Sequence, residues 1–263
     1  MDMIKGQWAV TGAAGKIGKN LRRYLAGRDV SLVSLDVVPT ENLGNNDRFV
    51  HADLRDQDAI EKALSGCVGV VHLGGIADEA DFHALTEANI LGTYHVLEGA
   101  QRQGLRRVVY ASSNRITGFY PVSTVVDPEM PVRPDGFYGA SKAASEALCQ
   151  LYSDKFAIST IAIRIGTYED TPTDSRQAST WLSHPDALKA FTAAMTTKRH
   201  HAAFYAVSRN RDRWWDLGSG EEIGYFPQDD AAEFWTDATP MPTTLPQGGK
   251  YATAEYSLRQ IKG

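Results

Sequence analysis

The sequence predicts an α/β fold in which helices cover both faces of a doubly wound parallel sheet. Short β-branched runs alternate with helical patterns along the chain. These runs are apolar almost without interruption, which is typical of strands buried on both faces. The first run ends in a glycine-rich turn that leads directly into a helical pattern. Such alternation indicates a parallel sheet with right-handed crossovers.

The predicted elements can be followed in chain order. The strand candidates are QWAVTG, SLVSLD, RFVHAD, VGVVHL, RRVVYAS, ISTIAIRIG and AAFYAVS. Helical patterns lie between them near residues 15–27, 56–65, 81–103, 138–155 and 185–197. A chain of 263 residues is long enough for one large α/β domain, or for one domain with a small addition.

Composition and charge exclude several classes of partner. The net charge is −5 and the pI is near 5.8, so we expect no nucleic-acid surface. No segment is apolar for long enough to span a bilayer, and we expect no membrane association. Cys67 and Cys149 form neither a disulfide framework nor a zinc pattern. The histidines also lack metal-ligand spacing, so we expect a cytoplasmic protein without a metal.

The glycine-rich turn TGAAGKIG lies between the first strand and the first helix. Its G-x-x-G-x-x-G spacing allows a tight turn and a close approach of the backbone to a pyrophosphate. The helix that follows offers unpaired N–H groups to the same phosphates. This placement predicts a dinucleotide-binding sheet of the Rossmann type. The residues assigned to the cofactor here are Gly12, Gly15, Lys16, Ile17 and Gly18.

The ends of later strands add further cofactor candidates. Asp36 ends the second predicted strand, where a carboxylate accepts from both ribose hydroxyls and repels a 2′-phosphate. It favours NAD over NADP, although a strand-end Asp also caps turns. Asp53 and Leu54 are assigned to the adenine, and Gly74 to close passage of the cofactor. Ordinary turn chemistry remains open for these three residues, and Ile165 completes the predicted cofactor set.

A phenol and an ammonium lie four residues apart in the stretch DGFYGASKAAS. On a helix this spacing brings Tyr138 and Lys142 onto one face. A cation about 4 Å away is worth roughly 4 kcal/mol at an effective dielectric of 20, which corresponds to about three pKa units. We therefore expect Lys142 to lower the pKa of Tyr138 and to make it a general base. Ser113, at the end of the fifth predicted strand, supplies a hydroxyl to hold the substrate oxygen.

The composition of the sequence changes after residue 166. We expect residues 1–166 to form the NAD-binding core with the catalytic residues. Residues 167–263 are polar, turn-rich and rich in aromatics. Long irregular segments in a compact domain usually form lids or binding walls. We expect them to add one or two strands and helices to the same domain and to form a small C-terminal substrate-binding annex.

In three of its motifs the sequence resembles the extended branch of the short-chain dehydrogenase/reductase superfamily. The matching stretches are TGAAGKIG, the SSN after the fifth strand, and YGASK. The resemblance implies a catalytic set of Ser113, Tyr138 and Lys142. Asn89 resembles the superfamily asparagine that supports the active-site helix and a proton-relay water. Members often pair as homo-oligomers, which we also expect here.

A narrower resemblance extends over almost the whole chain. The stretches VHLGGI, ASSN, GFYP, RPDGFYGASK, RIGT, STWLSHPD, WWD and QGGK are similar to those of uronate dehydrogenases. That family oxidises the anomeric carbon of hexuronic acids to lactones with NAD. The resemblance implies that Arg176 binds the sugar carboxylate, that Thr167 stands in place of a serine at the same anion, and that Asn114 contacts a sugar hydroxyl.

Two positions depart from that family's pattern. Arg115 replaces a histidine, and Ala77 replaces a serine, both of which contact the sugar in the family. A second guanidinium at the anion raises the alternative of a sugar sulfonate, such as sulfoquinovose. The opposite interpretation pairs Arg115 with a nearby acid outside the pocket, and a surface position remains the alternative for Arg176.

Two rival functions remain open from the sequence. A nucleotide-sugar epimerase or dehydratase would share the fold and the catalytic set. Those relatives generally carry a larger C-terminal domain, whereas 97 residues follow Gly166 in this chain of 263. A dinucleotide-sensing protein without catalysis would typically have lost the tyrosine or the lysine, and both are present.

Overall fold

A computed structural model describes residues 4–41, 44–236 and 241–261. The outer bounds of the two predicted segments, residues 1 and 263, lie outside them. Within the described residues, seven parallel strands form one sheet in the order β3-β2-β1-β4-β5-β6-β9. Helices lie on both faces of this sheet, so the predicted fold class is confirmed.

The predicted strand stretches all form strands of this sheet. The strands are β1 (Gly6–Thr11), β2 (Val30–Asp36), β3 (Asp47–His51), β4 (Gly69–His72), β5 (Arg107–Ser113), β6 (Ser159–Ile165), β7 (Thr167–Tyr168), β8 (Trp181–Leu182) and β9 (His201–Ala206). The short strands β7 and β8 pair with each other outside the main sheet.

The helices that the sequence predicts are present, together with shorter ones that it did not indicate. The helices are α1 (Lys16–Ala26), α2 (Gln57–Leu64), α3 (Phe82–Leu85), α4 (Gly92–Arg102), α5 (Phe137–Phe156), α6 (Ser175–Thr180), α7 (His184–Thr196), α8 (Gly218–Glu222) and α9 (Ala254–Ile261). Three-residue and four-residue 3-10 turns lie at Asn114–Thr117, Ala231–Glu233 and Gly249–Ala252.

Each face of the sheet has its own apolar core, because successive strand residues point to opposite faces. Trp8 and Val10 of β1 pack with helices α1 and α7, whereas Ala9 between them packs with α2, α4 and α5. All three side chains are buried. This two-sided burial explains the uninterrupted apolar runs in the sequence.

The helix predicted near residues 81–103 contains a π-helical segment, Thr86–Leu91, between α3 and α4. Wider π turns release backbone carbonyl groups from regular helical bonding. Here the carbonyl oxygen of Asn89 accepts hydrogen bonds from the hydroxyls of Thr93 and Ser145. The segment thereby ties this helix to α5.

The strand order reverses direction between β1 and β4, which are neighbours in the sheet. Ligands of open α/β sheets bind in the crevice at such a reversal, outside the carboxyl ends of the strands. The strand β9 extends the sheet beyond β6 although it comes from the turn-rich part of the sequence. Because β6 and β9 are parallel, the residues that follow each strand lie at the same edge of the sheet, which is the edge of the crevice.

Candidate active site

One continuous cavity of about 920 Å³ lies at the carboxyl ends of the strands. It runs from the end of β2 past the glycine-rich turn to α5 and the segment after β6. Every site residue predicted from the sequence lines it except Asn89. The predicted cofactor and substrate residues therefore share a single space.

The glycine-rich turn has the shape that a phosphate group requires. Gly12 has a φ of +67°, and a Cβ there would lie 2.7 Å from the backbone nitrogen of Gly74. A Cβ on Gly18 would lie 2.3 Å from the carbonyl oxygen of Gly12. Gly15 is the N-cap of α1 and provides no side-chain cap, so the first N–H groups of the helix stay available to an anion. Lys16 and Ile17 form the first turn of α1 beside it.

Asp36 lies at the end of β2 with its carboxylate on the cavity wall. One oxygen accepts from the backbone N–H of Ala14 at 2.9 Å, and the other from that of Val38 at 2.9 Å. The turn-capping interpretation therefore describes a real interaction. Because each carboxylate oxygen can accept more than one hydrogen bond, both oxygens of Asp36 retain the capacity to accept from a further donor.

Asp53 and Leu54 lie at the far end of the cavity. Asp53 forms an ion pair of 2.6 Å with Arg55, whose hydrogen bonds lower the pKa of that carboxyl to about 2. A Cβ on Gly74 would lie 3.0 Å from the Leu54 side chain, and a Cβ on Gly92 would lie 2.9 Å from it. Arg55 also lines the cavity and is not among the residues predicted from the sequence.

Lys16 lines the cavity and pairs with Glu169 on the same cavity wall. Its ammonium lies 2.9 Å from the carboxylate of Glu169, which follows β7. The Lys16 side chain is 72% exposed. This ion pair joins the glycine-rich turn to the C-terminal half of the chain.

Tyr138 and Lys142 lie on the same face of α5, as their spacing predicts. The ammonium of Lys142 donates to the carbonyl oxygen of Ala111 at 2.9 Å and lies 5.8 Å from the centre of the Tyr138 ring. Burial lowers the pKa of Lys142 to about 8. Ser113 lies at the end of β5 on the same cavity wall.

The expected net lowering of the Tyr138 pKa is wrong. Burial raises the pKa of Tyr138 to about 12 and outweighs every favourable contribution. The Ser113 hydroxyl and the charge of Arg115 lower it, while Asp78 and Asp135 raise it. A neighbouring cation therefore offsets only part of the cost of charging a buried phenol.

Asn89 lies behind the cavity wall. Its amide exchanges hydrogen bonds of 2.8 and 3.1 Å with the backbone of Ile76 and donates to the Ser141 hydroxyl at 2.9 Å. A Cβ on Gly75 would lie 2.5 Å from the Asn89 side-chain oxygen, which explains why the residue after Gly74 is also a glycine. Asn89 thus joins the loop after β4 to α5.

Arg176 and Asn114 line the cavity and carry side-chain donors that have no partner among the described residues. Arg176 donates through Nε to the Gln247 carbonyl oxygen at 2.8 Å. In the described part of the chain, no hydrogen bond or ion pair occupies its terminal nitrogens, and burial lowers its pKa. The buried amide nitrogen of Asn114 has no partner among the described residues either. Thr167 and Ala77 lie on the same wall, and the Thr167 hydroxyl is 2.6 Å from that of Thr180.

Arg115 is buried, but its guanidinium is already engaged. Its Nε lies 2.9 Å from Asp135, its Nη1 lies 2.7 Å from Asp78, and its Nη2 lies 3.3 Å from Glu79. The ion pairs of that interpretation are present, but its placement outside the pocket is wrong, because Arg115 and Asp78 both line the cavity. None of these three carboxylates is among the residues predicted from the sequence.

Tyr251 is a further cavity residue that the sequence analysis did not select. Its ring centre lies 4.4 Å from the guanidinium carbon of Arg115 and 5.1 Å from that of Arg176. Tyr251 lies in a turn-rich segment without the periodicity of a helix or strand, so the sequence pattern did not predict it as a site residue. The QGGK stretch directly before it, which is similar to uronate dehydrogenases, was the sequence feature that pointed to this segment.

A nucleotide turn and a buried phenol, ammonium and hydroxyl that share one cavity define an oxidoreductase of the short-chain dehydrogenase/reductase type. The chain belongs to the NAD dependent epimerase/dehydratase family, whose profile matches residues 8–184. Asp36 and the open glycine-rich turn fit this dinucleotide, and the cofactor is NAD.

Individual relatives cover nearly the whole chain. The uronate dehydrogenase of Pseudomonas syringae pv. tomato is 35% identical over 254 residues, which cover 93% of this chain and 92% of the relative. The structure of glucuronic acid dehydrogenase from Chromohalobacter salexigens is 34% identical with a TM-score of 0.89, covering 96% of this chain and 98% of that one. A mutant of the Agrobacterium tumefaciens uronate dehydrogenase complexed with NAD is 36% identical with a TM-score of 0.88, covering 94% and 97%.

Two further findings concern the described residues alone. Their helices include none with the length and apolar character needed to cross a membrane. They also contain no group of three or more His, Cys, Asp or Glu side chains arranged to hold a metal ion.

Proposed function

We propose that this protein oxidises the anomeric carbon of a hexuronic acid to its lactone with NAD. One observation carries the proposal: among the described residues, the terminal nitrogens of Arg176 have no hydrogen-bond or ion-pair partner, and Arg176 lines the same cavity as Tyr138 and Ser113. A half-buried guanidinium with two unpaired terminal nitrogens favours an anionic ligand, and its planar fork matches a carboxylate. The similarity to enzymes named for uronate oxidation supports the same substrate class.

The proposed reaction uses three side chains. Ser113 holds the anomeric oxygen of the sugar by a hydrogen bond, and Tyr138 as phenolate takes the proton from that hydroxyl. Lys142, fixed on the Ala111 carbonyl oxygen, stabilises the phenolate and holds the nicotinamide ribose. NAD, when bound, accepts the hydride from the anomeric carbon. Breaking the C–H and O–H bonds at that carbon leaves a carbonyl group, and the ring sugar becomes a lactone.

The cofactor and the sugar divide the cavity between them. Asn114, Ala77 and Thr167 contact the sugar beside Arg176 and the catalytic residues, and Asn89 supports them from behind. The residues proposed to hold NAD are Gly12, Gly15, Lys16, Ile17, Gly18, Asp36, Asp53, Leu54, Gly74, Tyr138, Lys142 and Ile165.

The anion is a carboxylate in this proposal, and a sulfonate is not favoured. A sulfonate offers three oxygens and would gain from a second guanidinium. The charge of Arg115 is shared among Asp78, Glu79 and Asp135, which leaves Arg176 as the anion partner. A two-oxygen anion matches a single fork. The homo-oligomeric assembly and the cytoplasmic location expected from the sequence stay predictions.

NADH formation with a panel of sugars tests the proposal directly. We expect turnover with glucuronate or galacturonate, little with glucose, and less with sulfoquinovose than with the uronates. The Tyr138→Phe variant should lose at least about a hundredfold in kcat, because it lacks the general base, while its NAD affinity is retained. No turnover with either uronate would refute the proposed function. Binding of a UDP-sugar together with that silence would favour the epimerase class instead.

A further inference from the structure

The N-terminus of α5 needs a cap that its own sequence does not supply. The helix begins at Phe137, and its second residue is the proposed catalytic base, Tyr138. Its N-cap is Gly136, which has no side chain, and its first turn contains no acidic residue. Asp135 precedes the cap, but its carboxylate is turned toward Arg115. The first N–H groups of a helix have no partner within the helix and need one from outside.

Glu79 supplies that partner from the loop after β4. One carboxylate oxygen accepts from the backbone N–H of Phe137 at 2.8 Å, and the other from that of Tyr138 at 3.2 Å. The Glu79 side chain is 0% exposed. A Cβ on Gly136 would lie 2.4 Å from a Glu79 oxygen, so the glycine leaves the space that this carboxylate occupies. A carboxylate at a helix N-terminus is also favoured by the helix dipole.

Other contacts fix Glu79 in place. Arg115 approaches it to 3.3 Å, and the hydroxyl of Ser257 on α9 donates to it at 3.0 Å. Arg115 is held in turn by Asp135 at 2.9 Å. A buried carboxylate needs such charged and hydrogen-bonding partners. The residue that replaces the histidine of the resembled family therefore serves the helix cap.

We propose that Glu79 is a positioning residue for catalysis, which caps α5 from a distant loop and fixes the backbone that carries Tyr138, with Arg115 and Ser257 holding its carboxylate. This proposal rests on the proposed function of Tyr138. Proton transfer requires the phenol within hydrogen-bond reach of the sugar hydroxyl. A shift of the reacting group by about 1 Å costs on the order of a hundredfold in rate. A frayed first turn of α5 would produce such a shift without removing any catalytic group.

Two substitutions of Glu79 test the proposal, at a temperature below the melting point of each variant. Glu79→Gln keeps the shape but places an amide donor against backbone N–H groups, and Glu79→Ala removes the cap. We expect kcat to fall by about tenfold or more in both, with KM for NAD within about twofold of the parent. Glu79→Asp, which restores the charge with a shorter side chain, should recover part of the lost kcat.

The matched control is Asp56→Ala. Asp56 caps α2 by accepting from the Ala59 N–H at 3.0 Å, and α2 carries none of the proposed catalytic residues. This variant should lower the melting temperature but leave kcat unchanged. If Glu79 were only structural, its variants would behave like the control, with reduced stability and full kcat per folded molecule. That outcome would overturn the proposal.

Hydrogen–deuterium exchange of the NAD-saturated protein separates this proposal from the proposed function. We expect the peptide that contains Phe137 and Tyr138 to exchange at least about tenfold faster in Glu79→Gln, and at the parental rate in Asp56→Ala. If Glu79→Gln exchanges faster but the parent protein oxidises no uronate, the proposed substrate is refuted and the proposed cap stands. Unchanged exchange would refute the cap whatever the substrate. Should Glu79→Ala fail to fold, Gly136→Ala gives the same two readouts by displacing the carboxylate.

Discussion

The two ends of the cavity are built in different ways. The nucleotide end is the part lined by the glycine-rich turn and Asp36, and the sugar end is the part lined by Arg115, Arg176 and Tyr251. The nucleotide end uses backbone groups and glycines of neighbouring elements, such as Gly12 against Gly74 and the uncapped start of α1. The sugar end is assembled from side chains that lie far apart in sequence, and the Ser257–Glu79 hydrogen bond spans 178 positions. Local backbone geometry can be read from a motif, whereas long-range charge pairing cannot.

Two arginines on the sugar side sharpen this contrast. Arg115 and Arg176 both lie against the Tyr251 ring, with guanidinium carbons 4.4 and 5.1 Å from its centre. Arg115 has three carboxylate partners in the described chain, while Arg176 has the Gln247 carbonyl oxygen. Similar side chains in one wall therefore differ in their pairing: the charge of the first is matched by carboxylates, and the terminal nitrogens of the second have no partner among the described residues.

Removing Arg176 should give the largest effect on substrate use. Two charge-assisted hydrogen bonds to a carboxylate, at about 1.5–3 kcal/mol each, predict that Arg176→Met lowers kcat/KM for glucuronate by at least about a hundredfold. Steady-state kinetics with glucuronate and glucose provide the measurement. The residual rate with glucose should change much less, and an equal loss with both sugars would contradict the assignment.

Removing Arg115 should act first on stability. Arg115→Met leaves the buried carboxylates of Glu79 and Asp135 without their cation, and such a loss costs about 3–5 kcal/mol. Chemical denaturation, compared with Arg176→Met, gives the measurement. If Arg115→Met instead kept its stability and lost only affinity for the uronate, Arg115 would be a substrate ligand, and the contrast between the two arginines would fail.

The pH dependence of the reaction follows from Tyr138. Burial raises the pKa of Tyr138 to about 12, and only the phenolate takes the sugar proton. Below the pKa the phenolate fraction increases tenfold with each pH unit, so kcat/KM should rise from neutrality to about pH 8, where Lys142 begins to lose the charge that stabilises the phenolate. The pH profile of NADH formation measures this, and Lys142→Met, which removes the nearby cation, should move the rise to higher pH. A rate that declines across the same range would contradict Tyr138 as the base.

The smallest effect is expected at the nucleotide end. Lys16 is largely exposed and pairs with Glu169 at 2.9 Å. An exposed ammonium paired with a phosphate is a surface ion pair and contributes about 0–1 kcal/mol, so Lys16→Ala should change KM for NAD by no more than about fivefold. Calorimetric titration with NAD offers an independent check. A much larger loss would mean that a side chain, rather than the backbone of the glycine-rich turn, provides the main phosphate contact.

The sequence predicted the parts of the site that depend on local pattern. The strands of the main sheet, the glycine turn and the α5 face with Tyr138 and Lys142 all follow from spacing along the chain. The partners of Arg115 did not, because Asp78, Glu79 and Asp135 meet it only after β4, β5 and α5 are packed together. The raised pKa of Tyr138 was missed for the same reason, since burial is a property of the folded chain.

The hydrogen bond between Ser257 and Glu79 has a consequence for the order of events during synthesis. Translation delivers the glycine-rich turn and its strands early, whereas α9 leaves the ribosome about a hundred residues after α5 has been made. The contact that holds the Glu79 carboxylate in its capping position is therefore the last of these features to form, after the helix that it caps has been synthesised.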